Sequence, residues 1–231
     1  MQTYSHQLAS DILCTDQLGK IVCVGRNYAD HAKELNNPVP KQPLLFIKPA
    51  TAAVSMYQPI AIPQNLGACH HELEMAILIG EPLTQASEQQ VEKAVVGIAL
   101  GLDLTLRDVQ DELKAKGQPW ERAKAFDGSC PLSAFIEADG VDLQALDIQL
   151  EINGVLKQSG NTGGMLFSVV TLLQEISRSF TLLPGDVVLT GTPAGVGPLQ
   201  NGDRLKASLG DLITIETTVI PAVAGTTGGG I

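Results

Sequence analysis

The stretch CHHELEMAILI, residues 69–79, places two carboxylates inside a run of otherwise apolar residues. Alternate side chains of a strand point to the same face, so Glu72 and Glu74 are expected to converge. Two like charges this close need a shared proton, basic partners or a metal ion. No lysine or arginine stands near them in the sequence. We therefore expect a hard divalent cation bound through oxygen.

A third carboxylate, Asp103, stands near the end of the apolar strand predicted at Val96–Leu104. At the end of a strand that opens into a helix, it would complete a three-carboxylate oxygen site with Glu72 and Glu74. Mg²⁺ or Mn²⁺ is the cation that suits such ligands best. A helix cap is the alternative role for Asp103, and taken alone it is equally consistent with the sequence.

Length and composition restrict the class of protein. The 231 residues are 44% hydrophobic and 17% charged, with a net charge of -10, so we expect one globular domain over residues 1–231. This acidic balance argues against nucleic acid and anionic membrane as partners and favours a small molecule. The four cysteines are widely separated and no secretory leader or apolar span is evident, which predicts reduced thiols and a cytoplasmic location.

Hydrophobic periodicity predicts more strands than helices, in an order that favours an α+β fold. The predicted strands are Lys20–Gly25, Leu44–Lys48, His71–Ile79, Val96–Leu104, Ile148–Ile152, Val155–Gln158, Asp186–Leu189, Arg204–Leu209 and Leu212–Val219. The predicted helices are Ala29–Leu35, Ser87–Val95, Arg107–Lys116 and Ser168–Arg178. Asn153-Gly154 predicts a tight hairpin turn, and Ala224–Gly230 is typical of a flexible end.

Two polar pairs have helical spacing. Arg107 and Gln110 share the face of a helix beside Asp103, where they would bind a carboxylate, although such pairs are more often simply exposed. His31 and Glu34 are also three residues apart, so that the carboxylate would orient the imidazole as a general base toward water. Taken alone, a histidine on a short helix is more often just solvated.

Two further motifs favour less specific roles. His70, His71 and Cys69 suggest zinc, but neighbouring strand residues face opposite ways and no second thiol is near. We therefore expect both histidines to be structural, one of them supporting the metal site. The loop Thr190–Gly197 is rich in glycine but lacks the Lys-Ser/Thr ending of a phosphate-binding loop, so it is either a tight approach to a ligand or an ordinary turn.

Six segments taken in order resemble the fumarylacetoacetate hydrolase family, over about residues 20–219. The similarity is carried by residues 25–31 (GRNYADH), 46–49 (FIKP), 70–74 (HHELE), 102–108 (LDLTLRD), 124–131 (KAFDGSCP) and 189–197 (LTGTPAGVG). The chain is most similar to the short, single-domain branch of acylpyruvases and oxaloacetate decarboxylases or tautomerases. This resemblance implies a fumarylacetoacetase C-terminal-like mixed β-sandwich roll with peripheral helices, paired as a homodimer.

The resemblance also implies the roles of individual residues. It assigns Mg²⁺ or Mn²⁺ to Glu72, Glu74 and Asp103. It assigns a catalytic dyad on a lid-like helix to His31 and Glu34. It also implies residues that bind or act on a small anionic oxo acid, namely Arg107, Gln110, Lys124 and Thr192. Lys48 is a further positive group.

The expected activity is hydrolysis of a carbon–carbon bond in an acylpyruvate-type 2,4-dioxo acid, through an enolate that the metal stabilises. The same site is suited to decarboxylating oxaloacetate or interconverting its keto and enol forms. Isomerisation of a 2-hydroxy-dienoic diacid from aromatic catabolism is a further alternative. A noncatalytic, metal-stabilised binding protein is the alternative from a different class.

Overall fold

The computed structural model describes residues 4–9, 16–34 and 40–222. Its helices are α1 (Ala29–Glu34), α2 (Glu88–Ala94), α3 (Arg107–Ala115), α4 (Glu121–Lys124) and α5 (Val169–Ser179). Its strands are β1 (Lys20–Gly25), β2 (Leu44–Pro49), β3 (Ala53–Ser55), β4 (Ile60–Ile62), β5 (Cys69–His71), β6 (Leu73–Ile79), β7 (Val95–Leu102), β8 (Thr105–Leu106), β9 (Cys130–Leu132), β10 (Ile136–Glu137), β11 (Asp147–Ile152), β12 (Val155–Asn161), β13 (Val187–Leu189), β14 (Gly197–Pro198), β15 (Arg204–Leu209) and β16 (Ile213–Pro221). Short 3₁₀ helices lie at Ala50–Ala52 and Thr162–Gly164.

The strands form three sheets, most of whose pairs are antiparallel. The largest has the order β2-β1-β13-β6-β7-β9-β3, with β10 also paired to β7. The second has the order β12-β11-β15-β16-β4, and the third is β14-β5-β8. Parallel pairing occurs between β1 and β13, β3 and β9, and β4 and β16, so the architecture is mixed. The predicted α+β class and β-sandwich roll are confirmed.

The centre of the largest sheet is covered on both faces. All seven residues of β6 are buried. On β1, Val22 and Val24 pack into one hydrophobic cluster, whereas Ile21 and Cys23 pack into another on the opposite face. Each such side chain contributes about 1.5–3 kcal/mol when fully buried. This burial on both faces explains why the sequence of β6 is mostly apolar without alternation.

The strand predicted at His71–Ile79 is in fact two strands. Glu72 separates β5 from β6, and these strands belong to different sheets. The carbonyl of Glu72 accepts the Asp103 N–H at 2.8 Å, just where β7 gives way to β8. The chain thus changes sheets at Glu72, and a continuous strand over 71–79 was wrong. The predicted end of the next strand at Leu104 was also too late, because β7 ends at Leu102.

Local sequence signals place the surrounding elements. Ser87 and Gln90 form a capping box at the start of α2, where the predicted helix also begins. The β11–β12 hairpin turns at Asn153 and Gly154, whose φ angles of 54° and 76° match the tight turn expected of this dipeptide. Gly117, with a φ of 62°, follows the end of α3.

The second sheet packs on the first. Strands β11 and β15 contact β6 and β7, and α2 packs on α5. This arrangement fixes the ends of β6 and β7, where the acidic residues lie. No helix of the described part of the chain is long and apolar enough to span a membrane. Leu35, the predicted end of α1, and the tail Ala224–Gly230 lie outside the described residues.

Candidate active site

Three buried carboxylates converge where β6 and β7 meet. Antiparallel pairing sets Leu73 opposite Leu102, which brings Glu72, Glu74 and Asp103 to the same end of the two strands. One oxygen of each carboxylate lies within 4.8 Å of the others, and no more than 5% of any of the three residues is exposed. The convergence expected from the sequence is therefore present.

Basic side chains reach this cluster from distant parts of the chain. The ammonium of Lys124 lies 2.9 Å from Glu72 Oε2 and 2.6 Å from Asp103 Oδ2. Arg107 Nη2 pairs with Glu72 Oε1, and Lys48 Nζ lies 2.8 Å from Asp103 Oδ1. The inference that a metal is needed because no Lys or Arg is near was wrong in its premise. Sequence proximity does not report contacts made across 35 or 52 residues.

Lys48 is a fully buried lysine beneath the cluster. Its ammonium donates to the carbonyl and hydroxyl oxygens of Ser129, each at 3.1 Å, and to the carbonyl oxygen of Lys124. A weaker contact reaches the carbonyl of Leu104 at 3.5 Å. These oxygens and Asp103 surround the ammonium, so Lys48 connects β2 to the segment that carries Asp103.

The electrostatic environments of the two glutamates differ. Burial raises the pKa of Glu74 well above its usual range, and the neighbouring charges of Asp103 and Glu72 raise it further, whereas the Gly191 N–H lowers it from 2.6 Å. Burial also opposes ionisation of Glu72, but the charges of Lys124 and Arg107 lower its pKa below the usual range. Among the described residues, Glu74 is the one candidate ligand of the three that forms no ion pair.

The site is suited to a hard divalent ion. All three candidate ligands offer carboxylate oxygens, the donors that Mg²⁺ and Mn²⁺ prefer. Asp103 Oδ1 is buried and accepts no hydrogen bond, despite the nearby ammonium of Lys48. Glu74 is also buried, and within the described residues its hydrogen-bond partner is the Gly191 N–H. An ion held by these three residues would give Glu74 a cationic partner, and it would give Asp103 Oδ1 a further partner besides the ammonium of Lys48.

The predicted dyad is formed. On α1, His31 Nδ1 lies 3.3 Å from Glu34 Oε2. The Gly195 N–H donates to the Glu34 carboxylate at 3.0 and 3.2 Å, which joins α1 to the glycine-rich loop. Gly195 has a φ of 96°, and a Cβ there would come within 1.9 Å of the Lys157 carbonyl oxygen, so only glycine fits.

The glycine-rich loop supports the acidic cluster. Its Gly191 N–H contacts Glu74, and Thr192 Oγ1 donates to the Leu73 carbonyl at 2.7 Å. The same hydroxyl accepts a hydrogen bond from Gln158 Nε2 at 2.8 Å. Of the two roles considered for this loop, a tight approach to the site is the one that the structure supports.

Seven of the predicted site residues line one pocket. They are His31, Glu72, Glu74, Arg107, Gln110, Lys124 and Thr192. Arg107 and Gln110 are both buried on α3, with Nη1 and Oε1 2.7 Å apart, so they are not an exposed pair. Glu34 joins the group through His31, and Asp103 joins it through Lys124.

Sequence reasoning missed several residues of this site. Arg26, Leu44, Phe46, Lys114 and Trp120 line the pocket without having been assigned a role. Residues 26 and 46 fall in segments that carried the family resemblance, which was the available signal.

Gln158 was also missed. It is buried on β12 and accepts from the Leu73 N–H at 3.0 Å, and its Oε1 lies 2.9 Å from His71 Nδ1. Nothing in its local pattern distinguishes it from the exposed residues around it.

The histidines and cysteines play no part in the carboxylate cluster. His71 is buried against Gln158, while His70 is part-exposed, and neither belongs to the three-residue group. The three cysteines in the described residues, Cys23, Cys69 and Cys130, are buried and free. Cys14 lies outside the described residues.

Comparison with known proteins supports the resemblance. The family model described as fumarylacetoacetate (FAA) hydrolase C-terminal matches residues 20–220. The chain is 52% identical over 207 residues to oxaloacetate tautomerase YcgM of Escherichia coli (strain K12), covering 89% of this chain and 94% of that protein. It is 44% identical over 200 residues to the mitochondrial oxaloacetate tautomerase FAHD1 of Bos taurus, covering 86% and 90% respectively.

A solved structure is also similar. It is a fumarylpyruvate hydrolase from Pseudomonas aeruginosa in complex with Mn²⁺ and pyruvate, with a TM-score of 0.89 and 34% identity. The match covers 96% of this chain and 98% of that one. These relatives are enzymes whose named substrates are small oxo acids.

Proposed function

Because this chain belongs to the fumarylacetoacetate hydrolase family, we propose that it is an oxaloacetate tautomerase, which interconverts the keto and enol forms of this acid. The sequence analysis gave this activity as an alternative and acylpyruvate hydrolysis as its main expectation. The identity of 52% to YcgM favours the alternative. The observation that carries the proposal is the buried carboxylate cluster, two of whose members line one pocket together with His31, Arg107 and Lys124.

Glu72, Glu74 and Asp103 would hold Mg²⁺ or Mn²⁺. When bound, such an ion supplies a Lewis acid for the 2-oxo group and the neighbouring carboxylate of the substrate. The Mn²⁺ and pyruvate of the Pseudomonas aeruginosa hydrolase support this role, because pyruvate carries the same 2-oxo acid group.

Two cationic side chains interact with the substrate. Arg107, held by Gln110 and Glu72, offers a planar guanidinium to a carboxylate. Burial lowers the pKa of Lys124, but Asp103 and Glu72 outweigh it and raise the pKa above its usual value, so the side chain stays an ammonium. That fixed positive charge stabilises negative charge on the substrate as its C3 proton leaves.

His31 moves the proton. The Glu34 carboxylate accepts a hydrogen bond from Nδ1–H, which leaves the Nε2 lone pair as the base. His31 takes the proton from C3, the C3–H electron pair becomes the C2=C3 π bond, the C2=O π pair moves onto the 2-oxygen, and that oxygen then accepts the proton. No water is consumed, and the enol has the mass of the ketone.

A product assay tests the proposal. Freshly dissolved oxaloacetate, acetylpyruvate and a 2-hydroxy-dienoic diacid are incubated with the protein and Mg²⁺ or Mn²⁺. We expect faster relaxation between keto and enol oxaloacetate, followed by ultraviolet absorbance, with no change in mass. Release of CO₂ as the main reaction would assign decarboxylation. Absence of any turnover, with the metal bound and the melting temperature raised, would support the noncatalytic binding protein.

Acylpyruvate hydrolysis remains the second candidate, because the His31–Glu34 dyad is equally suited to activating water. In that reaction His31 would deprotonate a water that attacks the 4-carbonyl, and the C3–C4 bond would break to give a carboxylic acid and pyruvate. The similarity to a fumarylpyruvate hydrolase supports this route. Incorporation of ¹⁸O from labelled water into the acid product distinguishes it from enolisation.

His31→Ala is expected to lower the enolisation rate by roughly 10²–10⁴-fold, the usual contribution of a general base. Stopped-flow absorbance measures the rate, and metal affinity should stay unchanged because His31 is not a ligand. His6→Ala, a substitution at a part-buried histidine bonded to the Gly185 carbonyl instead, is the matched control. A full rate in the His31 variant would contradict the proton-transfer role.

The homodimer, the cytoplasmic location and the single domain over residues 1–231 stay predictions. Light scattering, fractionation and limited proteolysis would test them.

A further inference from the structure

Arg26 occupies a strained position at the pocket. It directly follows β1 and has a φ of 62°, a conformation that favours glycine or asparagine. The next residue fixes this turn, since the fully buried Asn27 amide donates to the carbonyls of Thr190 at 2.7 Å and Phe167 at 3.1 Å. A long side chain held in this region by its surroundings points to a function.

Among the described residues, the guanidinium of Arg26 is not paired with an acidic group. The pocket cations Arg107 and Lys124 are engaged by Glu72, and Lys124 also by Asp103. Across the described ranges, Arg26 forms no hydrogen bond or ion pair, although it lines the pocket and is partly buried. A part-buried guanidinium without an anionic partner is a ready site for a ligand carboxylate.

Lys114 strengthens this part of the pocket. Its pKa is lowered first by burial, and the charges of Arg107 and Arg26 add to that effect, while Asp111 raises it from 3.4 Å. The ammonium lies 5.8 Å from the centre of the Trp120 ring. Arg26 and Lys114 line the same pocket, and a bound anion would offset the repulsion between their positive charges.

We propose that Arg26, with Lys114 beside it, binds the distal carboxylate of a dicarboxylic oxo acid. The inference rests on the proposed function, in which the 2-oxo acid end of the substrate occupies the carboxylate cluster and Arg107. The C4 carboxylate of oxaloacetate then needs its own cation, and Arg26 offers a two-pronged donor for it. The apolar side chains of Leu44, Phe46 and Trp120 line the same pocket and do not compete as acceptors. Arg26 is therefore a specificity determinant for diacids over monoacids.

Arg26→Gln tests this with a substrate pair, since glutamine keeps an unbranched side chain and removes the charge. The KM for oxaloacetate should rise about 10- to 100-fold, the effect of losing a charge-assisted hydrogen bond. The kcat should stay within about threefold, and kcat/KM for enolising acetylpyruvate, which has no distal carboxylate, should be unchanged. Arg26→Lys should restore part of the loss. Arg178→Gln, which removes an exposed guanidinium paired to Glu175, is the matched control.

The inference would be overturned if Arg26→Gln lowered kcat/KM equally for oxaloacetate and acetylpyruvate, or if it did not lower kcat/KM for oxaloacetate. A binding measurement distinguishes failure of this inference from failure of the proposed function. If the wild-type protein does not enolise oxaloacetate, that function fails, but calorimetry with malate and pyruvate on the Mg²⁺-loaded protein still tests the subsite. Arg26→Gln should lower the affinity for malate, which has a distal carboxylate, at least about tenfold. The affinity for pyruvate should hardly change. Equal changes for malate and pyruvate would refute the role of Arg26.

Discussion

Glu74→Gln is expected to lower Mg²⁺ affinity by more than about 100-fold, because changes in groups that merely support a ligand already cost 10–100-fold. Oxaloacetate enolisation should fall by at least about 10³-fold, since a Lewis acid contributes several kcal/mol to the transition state. Calorimetric titration with Mg²⁺ and stopped-flow absorbance measure the two effects. We choose Glu74 because, among the residues that the structure describes, its carboxylate accepts a hydrogen bond from the Gly191 N–H and forms no ion pair.

The melting temperature of the metal-free protein shows whether the Glu74 variant loses activity because it loses the ion or because its fold is damaged. Burial and the charges of Asp103 and Glu72 disfavour an ionised Glu74, so a neutral amide of nearly the same shape should leave the metal-free protein at least as stable. Only the stabilisation on adding Mg²⁺ should be lost. Glu216→Gln, at an exposed position on β16, is the control for removing one negative charge. Undiminished Mg²⁺ binding by the Glu74 variant would remove this residue from the metal site.

Local patterns were sufficient to predict much of the fold. The end of the apolar run at Ile79, the Asn153-Gly154 turn and the helix that Ser87 caps were each placed correctly from the local sequence. The convergence of Glu72 and Glu74 was also predictable. The reason given for it was incomplete, because Glu72 lies between two strands rather than within one.

The charge balance of the site could not be predicted from sequence spacing. Lys48, Arg107 and Lys124 reach the carboxylates from separate elements, and only the folded sheet brings them together. Gln158 was missed for the same reason, since β12 carries it to Leu73 across 85 residues. The roles of Lys124 and Thr192 came from family resemblance alone. Polar contacts between residues far apart in the sequence cannot be predicted from local sequence patterns.

Lys48→Met is expected to lower the free energy of unfolding by about 3–5 kcal/mol, the usual cost of removing one partner of a buried ion pair. Methionine has a similar length, so little packing is lost and the effect is electrostatic. The Asp103 carboxylate would lose the ammonium at 2.8 Å, and the oxygens of Ser129 would lose their donor. For a chain of this size, this corresponds to a fall in melting temperature of roughly 6–20 °C.

Chemical denaturation of the metal-free protein measures the effect of Lys48→Met without the contribution of a bound ion. Lys33→Met provides the comparison, because Lys33 is exposed and its contact with Asp30 is 3.4 Å long. Exposed pairs of this kind contribute at most about 1 kcal/mol. If Lys48→Met were as stable as Lys33→Met, the buried ammonium would not hold Asp103 in place. If it is destabilised as expected, the position of a candidate metal ligand depends on a lysine on another strand, which links the stability of the sheet to the chemistry of the site.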